Sequence, residues 1–410
     1  RHQAQLTALS RDAGSTDHFE FSHGASLAGW ERANAKALQG ILPMCRGTNH
    51  SIPVRNSDRK RIGKASEEEG TMATATTRRR LPKRYPILLT IMLTLTTTCH
   101  SLASEAGFQR LETQASELSR LHTLVVAKDG DIVFERTYAG PASDQPANIK
   151  SLSKTVLAAL VGAAIEQGVI EDVDQPIAGL LGPLVPSDVD PRVEDITLGH
   201  LLSLQAGLER TSGTNYGAWV ASANWVADAL SRPFVDRPGG RMLYSTGSSH
   251  LLSAALTQAS GDSTLALARQ LLGEPLNITI PDWPRDPQGI HFGGNDMQMS
   301  PRALIQIGEL YRLDGVIDGT RVLPEGWVEM SWQPRGTSPW TNDGYGYGWF
   351  VTELAGETAY YGRGFGGQAL YVIPERAMTV AITSDPMPPS PGGQFQQRLN
   401  ALIETLLAND

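Results

Sequence analysis

Ser151-Leu152-Ser153-Lys154-Thr155-Val156-Leu157-Ala158-Ala159-Leu160-Val161-Gly162-Ala163-Ala164-Ile165 is the stretch on which the reading of this chain turns. From Thr155 to Ile165 it is apolar almost all round, and a helix of that kind is buried rather than laid on a surface. Gly168 supplies a stop signal behind it. Ser151 and Lys154 stand three residues apart at its mouth. They therefore share one helical face, where a hydroxyl and an amine can meet across a hydrogen bond. A Ser–Lys pair so placed suits acyl transfer.

Such four-residue patterns also arise by chance. Ser57-Asp58-Arg59-Lys60 has the same spacing but lies in a run of charges with no apolar helix behind it. Scarcity favours the first match, because from residue 104 onward the only lysines are Lys128, Lys150 and Lys154. The plain alternative is a helix-capping serine beside a solvated lysine, and on these four residues alone the two readings stand level. Ser153 is the weaker nucleophile candidate, because adjacent helical residues do not face one another.

The chain of 410 residues is 40% hydrophobic and 19% charged, with a formal net charge of −8. That composition allows one large domain or two interlocked ones. The lack of a basic patch after the first hundred residues argues against a nucleic-acid partner, and the mild acidity argues for solubility and nothing more. At the amino end, Met72 precedes Arg78-Arg79-Arg80-Leu81-Pro82-Lys83-Arg84, an apolar run from Ile87 to Leu95, and Ser101-Leu102-Ala103. This order predicts a signal peptide over 72–103, with a core too short to span a bilayer. It leaves general and twin-arginine export both open. An exported, periplasmic or secreted protein is expected, and a lipid anchor on Cys99 is the less favoured alternative. Residues 1–71 are expected to be an extension upstream of Met72. Cys45 and Cys99 both precede the expected cut, so the mature chain would carry no thiol.

Residues 104–410 form the expected hydrolase domain. A helix is predicted over 106–120. Strands come next at Thr123 to Ala127 and Ile132 to Tyr138, joined across Asp129-Gly130 as a hairpin. From about 170 to 340 the pattern is helical and loop-rich, with Leu251 to Ala259 and Pro301 to Leu313 the clearest helices. Strands return at Gly348 to Glu353, Ala369 to Ile373 and Thr379 to Ser384, and a last helix runs from Phe395 to Leu407. The fold class is therefore α+β, with a sheet closed from distant parts of the chain around a large helical insertion.

About ninety residues beyond Ser151 stands Arg241-Met242-Leu243-Tyr244-Ser245-Thr246-Gly247. Helix-borne Ser-x-x-Lys followed by Tyr-Ser-Thr resembles the serine β-lactamase and penicillin-binding-protein superfamily. It is most similar to the class C-like branch, which holds esterases, DD-peptidases and 6-aminohexanoate-dimer hydrolases. Ile196-Thr197-Leu198-Gly199-His200-Leu201-Leu202-Ser203, Gly293-Gly294-Asn295-Asp296-Met297, Gly364-Phe365-Gly366-Gly367-Gln368 and Tyr371-Val372-Ile373-Pro374-Glu375 resemble it too. The likeness covers roughly 106–408. It implies a mostly antiparallel sheet flanked by helices, an all-α insertion, and a site in the cleft between them.

Ser151 is the candidate nucleophile, and its own N–H at a helix start is a candidate oxyanion donor. Lys154 must be neutral part of the time to act as a base, which costs about 4 to 5 kcal/mol at pH 7 unless its surroundings help. The resemblance implies that Tyr244 is the second acid/base residue, leaving open which of the two takes the Ser151 proton. It also makes the Phe365 N–H the second oxyanion donor and assigns Thr246, Arg363 and Gly364 to substrate binding. Two departures bear on substrate. Tyr244-Ser245-Thr246 replaces Tyr-x-Asn, and Gly362-Arg363-Gly364 replaces the Lys-Thr-Gly that reads a β-lactam carboxylate.

A small ester, amide or peptide-like substrate is therefore expected, with β-lactamase or DD-peptidase activity the alternative. Gly362→Lys with Arg363→Thr is expected to shift activity toward cephalosporins. A non-catalytic sensor on the same fold is the alternative of another class, separable by a probe that labels active serines. No cofactor or metal is implied. Gly362 to Gly367 matches a dinucleotide pattern, but a strand is expected after it where a helix is required. His250 and His291 are assigned structural roles.

Overall fold

The computed structural model describes residues 107–389 and 393–409. The expected extension and signal peptide lie outside those residues. Helix α1 covers 107–116, four residues short of the predicted end, because Leu121 already opens a strand opposite Ser384. Strands β1 (Leu121–Lys128) and β2 (Asp131–Thr137) form the predicted hairpin. Asp129 (φ 52°) and Gly130 (φ 88°) are both left-handed, as a two-residue type I′ turn requires.

Six further strands complete one antiparallel sheet: β3 (Gly336–Thr337), β4 (Gly344–Tyr345), β5 (Phe350–Leu354), β6 (Glu357–Gly364), β7 (Gln368–Ile373) and β8 (Met378–Ser384). The order is β2-β1-β8-β7-β6-β5-β4-β3, so the first hairpin pairs with the last strand across the whole insertion. β6 is not marked by the pattern of its sequence, Glu357-Thr358-Ala359-Tyr360-Tyr361-Gly362-Arg363-Gly364. Two glycines lower its strand propensity, and it forms because β5 and β7 pair with it on both sides.

Alternation along the strands divides the interior. Leu370, Val372, Ala381 and Val125 face α2 (Ser153–Glu166) and α4 (Pro301–Arg312). Tyr371, Ile373, Val380 and Val126 face α1 and α5 (Gln394–Leu407). The apolar segment Val156 to Ala164 of α2 is buried throughout, as its composition demands. Gln167 caps its carboxyl end, and Gly168 comes next with φ 68°. Helix α3 (Thr246–Ser260) packs beside α2 and begins directly after Tyr244-Ser245. Two long helices packed so bring Ser151 and Tyr244 together at their amino ends. Among the described residues, no helix is long and apolar enough to cross a membrane.

Candidate active site

Ser151 lies in a short 3-10 turn, Lys150–Leu152, just before α2 rather than within it. The turn is held by its neighbours. Ala147–Asn148 pairs with Gln298–Met299, and the Ile149 N–H donates to the Met297 carbonyl at 3.0 Å. Lys150 is left-handed (φ 51°), a conformation that costs a residue with a Cβ about 1–2 kcal/mol. Three contacts hold it there. Its N–H donates to Asn148 Oδ1 (2.9 Å), its amine pairs with Asp296 Oδ1 (2.8 Å), and its carbonyl accepts from Ser153 Oγ (2.5 Å). Asn148 Nδ2 donates to the same Asp296 oxygen at 2.8 Å. Ser153 is fully buried and also accepts the Met297 N–H, so its hydroxyl is structural.

Lys154 is buried, with Nζ 3.3 Å from Ser151 Oγ and 2.7 Å from the Gly294 carbonyl. Burial pushes its amine below the usual lysine range, while the neighbouring Tyr244 and Asp296 oppose that shift. Tyr244 is half-buried, its ring centroid 4.9 Å from Lys154 Nζ, and its hydroxyl is electrostatically coupled to Ser151 and Lys154. Burial raises its phenol, but the Lys154 charge, the Ser151 hydroxyl and the Arg363 charge together bring it below its ordinary value. Burial favours amine with phenol, whereas attraction favours ammonium with phenolate. In either arrangement one member of the pair can accept the Ser151 proton.

The other expected residues fall into two groups. Gly364 abuts the nucleophile turn, since a Cβ there would sit 2.2 Å from the Ile149 carbonyl oxygen. Phe365 comes next, at the hairpin tip, with 52% of its surface exposed beside the Ser151 turn. Thr246 is instead tied away, its hydroxyl 3.0 Å from Ser212 Oγ and its N–H donating to the same oxygen at 2.9 Å. With Ser245 on Thr211 (3.2 Å), this ladder fixes the start of α3 and so the Tyr244 backbone. Arg363 lies with its guanidinium over the Phe350 ring at 4.7 Å, on the face opposite Gly362 and Gly364, and its charge still reaches Tyr244. Among the described residues, no cluster of three or more His, Cys, Asp or Glu could hold a metal.

The beta-lactamase family model matches residues 108–405. The chain belongs to the beta-lactamase family. That is a family of serine hydrolases, and the antiparallel sheet with flanking helices is its fold. Solved structures share this fold at low identity. A penicillin-binding-protein homologue from Caulobacter crescentus is 17% identical, with a TM-score of 0.60 over 75% of this chain and 98% of that one. EstCE1, a hydrolase with promiscuous acyltransferase activity, is 16% identical, with a TM-score of 0.59 over 74% and 100%. A D-stereospecific amidohydrolase from Streptomyces sp. is 17% identical, with a TM-score of 0.56 over 73% and 97%. No curated protein matches significantly.

The structure corrects one expectation about β6, the strand whose Gly362-Arg363-Gly364 is read in the sequence as standing where the family carries Lys-Thr-Gly. A Cβ at Gly362 would sit 2.2 Å from Thr155 Oγ1 and 2.5 Å from Leu152 Cδ1. A lysine cannot be restored there without displacing the nucleophile segment. Gly362→Lys should lower stability by about 1–3 kcal/mol and gain no cephalosporin turnover. Thermal unfolding beside a cephalosporin assay checks this, and a stable variant with new turnover would contradict it. The glycine-rich run 362–367 is the β6–β7 hairpin, with a strand after it.

Sequence reasoning gives no role to Asp296, Asn148 or Trp340. Asp296 sits in a stretch that resembles the family, which is its only signal. Trp340 has none. Its ring meets Tyr244 edge-on at 5.6 Å and stays 45% exposed, a placement made by the loop between β3 and β4.

Proposed function

We propose that this serine hydrolase cleaves small esters or linear amides through an acyl-enzyme on Ser151. The 3.3 Å approach of the buried Lys154 amine to Ser151 Oγ carries the proposal. Ser151 Oγ attacks the carbonyl as its proton passes to the Lys154–Tyr244 pair. The oxyanion is held by the Ser151 and Phe365 N–H groups, and the alcohol or amine leaves with the proton. Water then repeats the sequence and frees the acid. The exposed rings of Trp340 and Phe365 offer apolar surface to the substrate's flanks.

A second reading, β-lactamase or DD-peptidase, draws on Arg363, a cation on the same strand whose charge acts on Tyr244. Position 362 weighs against it. The missing lysine would have made a charge-assisted hydrogen bond worth about 1.5–3 kcal/mol, so β-lactams should trail by roughly one to two powers of ten in kcat/KM. Parallel assays of p-nitrophenyl acetate, a linear amide dimer and a chromogenic cephalosporin decide between the readings. Cephalosporin turnover matching the ester's would make β-lactamase the better name.

A further inference from the structure

Behind Ser151, α3 carries one member of a second pair of buried groups. His250 is fully buried among Trp219, Trp225 and Phe292, and its Nε2 lies 3.0 Å from Asp286 Oδ2. Its other ring nitrogen, Nδ1, receives the Gly293 N–H at 3.2 Å. A backbone N–H can only donate, so Nδ1 must be the unprotonated nitrogen and Nε2–H faces the carboxylate. The remaining oxygen, Asp286 Oδ1, accepts the N–H groups of Gln288 and Ile290, each at 2.8 Å. The hydrogen bonds thus assign a single tautomer.

That tautomer bears on the site because Gly293 is bonded to Gly294, whose carbonyl accepts from Lys154 Nζ at 2.7 Å. There is no slack at this crossing. A Cβ on Gly293 would lie 2.3 Å from the Ser249 carbonyl oxygen, and one on Gly294 would lie 2.4 Å from Ser249 Cβ and 2.9 Å from Lys154 Cγ. Two residues on, Asp296 holds Lys150 and with it the left-handed turn before Ser151. One loop therefore grips the site at both lysines, and His250 anchors it to the helix that begins behind Tyr244, with Ser253 on the His291 carbonyl (2.7 Å) beside it.

We infer that His250 and Asp286 are positioning residues: the carboxylate fixes the imidazole tautomer, Nδ1 holds Gly293, and Gly293 sets the carbonyl that orients Lys154. The inference rests on Lys154 serving Ser151. Lys154 is faced by Ser151, Tyr244, the Gly294 carbonyl and the Asp296 charge, and the loop that carries that carbonyl is held by His250 through the Gly293 N–H.

Asp286→Asn tests it with almost no change of shape. The amide oxygen must take the two N–H donors of Gln288 and Ile290, which leaves the NH₂ facing Nε2. The imidazole must then move its proton to Nδ1, against the Gly293 N–H. Fluorophosphonate labelling of the full chain should slow by about 10- to 100-fold. The ascending limb of its pH profile should move to higher pH, because a displaced Gly294 lets water reach the amine that burial holds low.

His250→Asn, whose amide oxygen can still accept from Gly293, has no tautomer left to switch. In that background Asp286→Asn should have little further effect. Wild-type rate and limb in Asp286→Asn, or an equal loss in both backgrounds, would overturn the inference. If the wild type is not labelled at Ser151, the acyl-enzyme reading fails instead. The nitrogen shifts of the His250 ring then still test the pair: Nε2–H in the wild type and Nδ1–H in Asp286→Asn are expected, and the same tautomer in both refutes it.

Discussion

Ser151→Ala should lower ester hydrolysis by about 10⁴-fold or more and abolish fluorophosphonate labelling, while the unfolding temperature stays within a few degrees of wild type. From the sequence alone, removing the hydroxyl would also cost a helix cap, about 0.5–2 kcal/mol. In the structure Leu152 is the residue before α2 and no side chain caps it. The hydroxyl of Ser151 has Lys154 and Tyr244 as its partners, both groups of the proposed reaction. Its loss should therefore register in chemistry and hardly in stability. Calorimetry with steady-state kinetics on the same preparation checks both halves. Labelling that survives in the variant would move the nucleophile elsewhere.

Lys154→Ala should slow acylation by about 10²- to 10⁴-fold, and the pH dependence of the wild type should show why. Burial lowers the Lys154 amine, so its unprotonated fraction grows at a lower pH than for an ordinary lysine. The ratio kcat/KM should rise through that lowered value and level off while surface lysines are still charged. Tyr244→Phe adds a sign. The tyrosine raises the Lys154 amine, so if Lys154 is the base, the residual activity of that variant should climb at still lower pH. Loss of the ascending limb altogether would make Tyr244 the base. Full activity in Lys154→Ala would leave the lysine a purely structural role.

The features legible in the sequence are those that repeat or sit close along the chain. Thr155 to Ile165 announces a buried helix because nothing polar interrupts it. Asp129-Gly130 announces a hairpin because those residues tolerate the left-handed turn. The closing of the sheet from its two ends is implied by strand patterns on both sides of a helical stretch. The features that stay hidden depend on partners far away in sequence. β6 is a strand because of its neighbours, not its composition. Lys150 is left-handed because Asn148 and Asp296 hold it there. Thr246 is expected to face substrate, yet the sequence does not reveal that Ser212 engages its hydroxyl. His250 looks like one scattered histidine among nine until Asp286 and Gly293 place each of its nitrogens. Position 362 teaches the same lesson. Its alignment suggests an editable residue, and only the distance to Thr155 shows that no side chain fits.

The most direct test of the acyl-enzyme is to trap it. Wild-type protein mixed with an activated ester, quenched in acid within the first turnovers and analysed by intact and peptide mass should carry one acyl group. That group should lie on the peptide containing Ser151 and be absent from Ser151→Ala. An acyl group on another residue, or turnover with no covalent species at any quench time, would contradict the account.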